Sequence, residues 1–163
     1  MHRKEIHRKL AEKAIRKLRK LPEAEKLILY GSVARGDYRP NSDIDIAFIC
    51  DDFLRVFFLD FEGFPAGLSE RIDRELKELK ERSGIMFHVP IYWSSELENG
   101  IKLFSGKGPP LDYLNKFGLV VYDNSKRYIP FVFPRASSMP ILPNANFTVN
   151  AYFTANAFVS YLK

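Results

Sequence analysis

Two short stretches hold residue types at spacings that can do chemistry: Gly31-Ser32-Val33-Ala34-Arg35-Gly36 and Ser42-Asp43-Ile44-Asp45. On an extended strand alternate side chains share a face, so Asp43 and Asp45 point one way while Ile44, Ile46 and Phe48 point into the core. Two carboxylates so close disfavour each other's ionised form unless a cation sits between them. Mg²⁺ is the natural occupant, because it takes hard oxygen ligands and keeps water and phosphate oxygens. A pair of solvent-facing aspartates at a strand end has the same pattern. The Gly31-Ser32 turn supplies a second requirement of a nucleotide site. Glycine lets a phosphate approach the backbone, and the next amides with the Ser32 hydroxyl are donors aimed at an anion. An ordinary turn uses the same two residues. Arg35 can neutralise phosphate, pair with Asp37 or the two aspartates, or lie on the surface. No Gly-Lys-Ser/Thr of a Walker loop is present.

These residues need strands and turns to place them. Leu27–Tyr30 reads as a buried strand ending at the Gly-Ser turn, Val33–Gly36 as the start of a short helix, and Ile44–Ile49 as a second strand. Before them, residues 3–21 have helical periodicity in Ile6, Leu10, Ala14, Leu18 and Leu21, closed by Pro22. After them, residues 53–66 form an aromatic connector (Phe53, Phe57, Phe58, Phe61, Phe64), and Leu68–Arg82 is an amphipathic helix stopped by Ser83-Gly84. Ile85–Trp93 reads as a third strand, residues 96–104 and Leu111–Phe117 as helices, and Leu119–Tyr122 as a last strand. The order predicts an α+β fold, a small mixed β-sheet with helices packed on it.

Composition narrows the classes. The chain has 163 residues, 46% hydrophobic, enough for one core. No apolar run approaches the ~20 residues that span a bilayer, and the charged N-terminus lacks a secretory pattern. A single cysteine, Cys50, excludes an internal disulfide and cysteine-based zinc sites. Cytoplasmic location and no membrane partner are the expectation. Residues 1–20 carry nine Lys/Arg against two Glu, a net +7 within a chain total of +5, so the remainder carries −2. That basic helix suits nucleic acid, an acidic partner or plain solvation, and nucleic acid is not the favoured partner. A body at 1–128 is followed by a tail, 129–163, with four prolines and no charge over Ala136–Leu162. The tail suits docking to a partner or a homo-oligomer contact. Asn146-Phe147-Thr148 matches a glycosylation acceptor by chance. Tyr92, Trp93 and the Phe53–Phe64 cluster serve either packing or base stacking. His2 and His7, five apart near the terminus, have poor ligand spacing and are given no role.

Taken jointly, Leu29-Tyr30-Gly31-Ser32-Val33-Ala34-Arg35-Gly36 and Asn41-Ser42-Asp43-Ile44-Asp45 resemble the signature of the DNA polymerase β-like nucleotidyltransferases. The likeness is greatest to the small stand-alone minimal nucleotidyltransferases of archaea and bacteria. The element order over residues 3–128 is similar too, including the closing Leu119-Val120-Val121-Tyr122-Asp123. The resemblance implies a nucleotidyltransferase fold and transfer of a nucleoside monophosphate, AMP from ATP or another NTP, to a hydroxyl. It implies that Asp43 and Asp45 are catalytic and bind two Mg²⁺ ions, and that Gly31, Ser32, Arg35 and Ser42 belong to the nucleotide site. It also implies a toxin–antitoxin arrangement with a partner HEPN-domain protein. One departure stands out. The family places a third carboxylate on the next core strand, and here Ile85–Trp93 contains none. His88 is the nearest polar residue, as a base, a neutral ligand or a strand histidine with a local hydrogen bond. Loss of that acid leaves a degenerate nucleotide- or partner-binding module as the alternative.

Overall fold

The computed structural model describes residues 3–56, 58–100 and 108–125. The chain divides into two units, Met1–Asp123 and Asn124–Lys163. The second lies almost wholly outside the described residues, and with it the expected tail at 129–163. So do Phe57 and residues 101–107, where the expected 96–104 helix would end.

In the first unit α1 (Arg3–Leu18) leads to β1 (Ala24–Tyr30), α2 (Gly31–Arg35) and β2 (Ile44–Cys50). A short 3-10 helix (Asp52–Val56) and α3 (Leu68–Ser83) precede β3 (Phe87–His88) and β4 (Ile91–Trp93). Then come α4 (Ser94–Asn99), α5 (Leu111–Phe117) and β5 (Leu119–Asp123). The sheet order is β3-β2-β1-β5, with β4 also on β2. β1 pairs antiparallel with β2 and β5, whereas β3 and β4 run parallel to β2. The sheet is mixed and the class is α+β, as the element order predicts.

β2 is central and covered on both faces, since Ile44 and Ile46 through Cys50 are all buried. Ala47 and Ile49 join Ile28, Tyr30 and Tyr92 in a cluster closed by Leu97 of α4 and by Leu111 and Leu114 of α5. On the opposite face, by alternation, lie Ile44, Ile46, Phe48 and Cys50. α1 and α3 pack on each other, burying Leu10, Ala14 and Leu18 and Leu68, Ile72, Leu76 and Leu79. Their apolar spacings at three and four residues are those of helices with one dry face.

Several elements differ from expectation, three of them for a local reason. α1 ends at Leu18, because the chain tightens into i→i+3 bonds (Lys20 N–H to Lys17 O, 3.2 Å; Leu21 N–H to Leu18 O, 3.0 Å) before Pro22. β1 begins at Ala24, three residues early, since Glu25 occupies a bulge between Ala24 and Lys26 and is buried. The single strand expected at 85–93 is two. Pro90 has no N–H for the ladder, though its carbonyl still accepts from Phe48 N–H at 2.9 Å. α2 also begins at Gly31 itself.

Candidate active site

The site forms at the end of β1 and the start of β2. The register sets Tyr30 opposite Asp45 on β1 and His88 opposite Asp45 on β3. Asp45 is therefore flanked by a phenol and an imidazole on the same face. Tyr30 is buried, Asp45 half-buried and Asp43 exposed at the mouth. His88 Nδ1 lies 3.5 Å from Asp45 Oδ1 and 3.2 Å from the Tyr30 hydroxyl. Burial, then Asp45 nearby, raises the Tyr30 pKa far above its ordinary value, so Tyr30 stays protonated and keeps a hydrogen to donate. With a neutral ring Tyr30 donates to Nδ1; with an imidazolium, Nδ1–H turns to Asp45. The reading of His88 as a strand histidine with a local hydrogen bond and as a site residue thus coincide: its bond is to the site.

Asp45 itself is tuned. Burial pushes its carboxyl above the ordinary value, His88 pulls it back, Asp43 adds to the rise and Arg35 opposes it. Asp43 has no hydrogen-bond or ion-pair partner among the described residues. Two negative groups meet here with one half-exposed imidazole between them and solvent.

Gly31 has a role that the turn reading alone does not contain. Its φ is +72°, and a Cβ there would stand 2.2 Å from Asp45 Oδ2. Glycine is required because the Asp45 carboxylate occupies the space a side chain would take. Ser32 follows in the first turn of α2, where backbone N–H groups lack helical partners. Gly36 closes α2, its N–H reaching Ser32 O at 2.9 Å. Arg35 is exposed, Nε donating to Asp37 Oδ2 at 3.2 Å and Nη1 to the Tyr113 hydroxyl at 3.0 Å. It is paired with Asp37 while close enough to Asp45 to attract it. Ser42 works in its own loop, Oγ accepting from Arg39 N–H at 2.8 Å.

The donor set fits a hard divalent ion. Asp43 and Asp45 supply carboxylate oxygens from one face, and Gly31 keeps the approach to Asp45 clear. Among the described residues no group of three or more His, Cys, Asp or Glu encloses such an ion.

Other expectations sort themselves by burial. Trp93, Tyr92 and Phe64 are buried, and Phe64 stacks on Trp93 with centroids 5.6 Å apart, so these rings serve packing. Phe58 and Phe61 are fully exposed. Glu96 lies past β4 and turns back to accept from Trp93 N–H at 2.9 Å, away from the site. Sequence reasoning missed Tyr30, visible only as the last apolar residue before Gly31. It also missed His7, which is buried and bonded to the Ser42 carbonyl at 3.0 Å. Its signal was its place on the helical stripe three residues before Leu10; Ile6, expected there instead, is exposed.

The family described as polymerase beta, nucleotidyltransferase matches residues 12–89, the segment running from α1 through His88. That segment resembles a polymerase β-type nucleotidyltransferase domain. Among solved structures a candidate nucleotidyltransferase from Sulfolobus solfataricus is similar, with 18% identity and a TM-score of 0.45 over 76% of this chain and 86% of that one. A comparison with curated proteins finds no match. Among the described residues no helix is long and apolar enough to cross a membrane.

Proposed function

We propose that this nucleotidyltransferase moves a nucleoside monophosphate, AMP from ATP in the simplest case, to a hydroxyl acceptor. The observation that carries the reading is Asp45, set by register between Tyr30 and His88 with Gly31 clearing its flank. Asp43 and Asp45 would hold Mg²⁺, which when bound offsets charge on the reacting phosphate oxygens. The first-turn amides of α2 with the Ser32 hydroxyl donate to the triphosphate, Arg35 offsets its charge from the rim, and Ser42 shapes the entry loop. His88 takes the proton of the acceptor hydroxyl, whose oxygen bonds to the α-phosphorus as the bond to the β-phosphate oxygen breaks and pyrophosphate leaves. Nδ1 is the nitrogen that takes the proton, the Tyr30 hydroxyl giving up its bond there as the new Nδ1–H turns to Asp45. The acceptor in this reading is a hydroxyl on a HEPN-type partner protein, in a toxin–antitoxin pair.

A second reading is favoured by one feature. The strand beside β2 offers His88 and no carboxylate, which suits a domain that binds nucleotide or a partner without transfer. Incubation with α-labelled ATP, Mg²⁺ and a co-purified partner separates the two. Transfer in wild type that vanishes in Asp43→Ala/Asp45→Ala supports the enzyme, and transfer unchanged in that variant overturns it. Nucleotide and partner binding without any transfer establishes the module instead.

A further inference from the structure

His7 lies outside the site yet holds the peptide that enters it. The imidazole is 2% exposed, and Nε2 lies 3.0 Å from the Ser42 carbonyl oxygen. A carbonyl only accepts, so Nε2 carries the hydrogen. Nδ1 is buried with no partner among the described residues. The Tyr38 ring packs against the imidazole with centroids 4.9 Å apart.

The Ser42 carbonyl and the Asp43 amide belong to one planar peptide unit, so orienting one orients the other. On the far side Ile44 N–H is fixed on Met86 O at 2.9 Å. Asp43 sits between these two anchors and ahead of the β1–β2 ladder, whose last pair is Tyr30 with Asp45. Among the described residues Ser42 is held by Arg39, its N–H donating to Arg39 O at 3.0 Å and its Oγ accepting from Arg39 N–H at 2.8 Å, and by His7. A residue serving packing alone at this place, on the stripe with Leu10, Ala11 and Ala14, would be apolar. A buried ring nitrogen without a partner lowers stability, a cost that folds carry where a site needs it.

We infer that His7 is a positioning residue, which orients the Asp43 carboxylate for a divalent cation through the Ser42 carbonyl. The inference rests on the reading of Asp43 as a cation ligand. Outer partners of metal ligands change affinity by about 10–100-fold when removed. The test compares the full chain as wild type, His7→Leu, His7→Gln and Asp43→Asn, reading hydrogen exchange at amides 39–44, Mn²⁺ affinity by calorimetry, and melting temperature. In His7→Leu those amides exchange faster while α3 is unchanged, Mn²⁺ binds about tenfold more weakly, and the melting temperature holds or rises. His7→Gln, whose side-chain N–H reaches the same carbonyl, recovers both exchange and affinity. Wild-type exchange and affinity in His7→Leu, with Asp43→Asn impaired, overturns the role of His7 alone. A lowered melting temperature with no recovery in His7→Gln also overturns it, leaving a packing residue. Mn²⁺ bound equally by Asp43→Asn and wild type overturns the cation reading of Asp43, and the inference with it.

Discussion

The two ends of β2 both gather carboxylates, and they are built in opposite ways. At the far end Glu25, Asp52 and Glu96 each have a partner among the described residues. Glu25 accepts from Ser94 Oγ at 2.6 Å; Asp52 accepts from Ser95 N–H at 2.6 Å and from Ser95 Oγ at 2.7 Å, and forms an ion pair with Arg55, whose Nε lies 3.0 Å away. Glu96 caps the start of α4 through the Trp93 amide. At the near end, among the described residues, Asp43 has no hydrogen-bond or ion-pair partner and Asp45 has one imidazole at 3.5 Å. Satisfied acids hold elements together, whereas unsatisfied acids on one face cost stability and wait for a ligand.

The largest test of that contrast exchanges one acid at each end. Asp45→Asn is expected to lose transfer by about a thousandfold or more with melting temperature unchanged or raised, since a half-buried charge is removed. Asp52→Asn is expected to retain transfer within a few-fold while losing about 1–2 kcal/mol in a denaturant titration. His88→Ala sharpens the near end: the rate of transfer falls by about a hundredfold while nucleotide affinity changes little. The glycines come next. Gly31→Ala meets both a positive φ and the Asp45 carboxylate, and should cost about 3 kcal/mol. Gly84→Ala has a φ of +70° but open space, and should cost about 1 kcal/mol.

A further effect belongs to the far end and to pH. Burial pushes the Glu25 carboxyl up to about 7 from 4.5, against the opposing bond from Ser94. A folded-state pKa above the unfolded one gives stability that is fully present below about 4.5 and is lost as pH rises through about 7. Glu25→Gln should therefore flatten the fall in melting temperature between pH 5 and pH 8, and exceed wild type at pH 8 by roughly 2 kcal/mol.

The two ends were also unequally legible. Alternation put Asp43 and Asp45 on one face from the sequence alone, because a strand has only two faces and Ile44, Ile46 and Phe48 claimed the other. The far end was hidden, since Glu25 reads as a polar residue before a strand until a bulge and Ser94, 69 residues on, bury it. His88 could be named from its strand, but not placed. Its position opposite Asp45 depends on a parallel register set by the α3 crossover, which local spacing does not encode. His7 sat on the apolar stripe, yet its partner is a backbone carbonyl 35 residues away, and no side-chain pattern announces such a bond.

The most direct test of the contrast is the melting temperature of wild type and Asp45→Asn, each with and without Mg²⁺ and ATP. A ligand that binds only the folded chain stabilises it by about 2.7 kcal/mol at a hundred times its Kd. The near end as described predicts a rise of several degrees in wild type and almost none in Asp45→Asn. An equal rise in both proteins would contradict it.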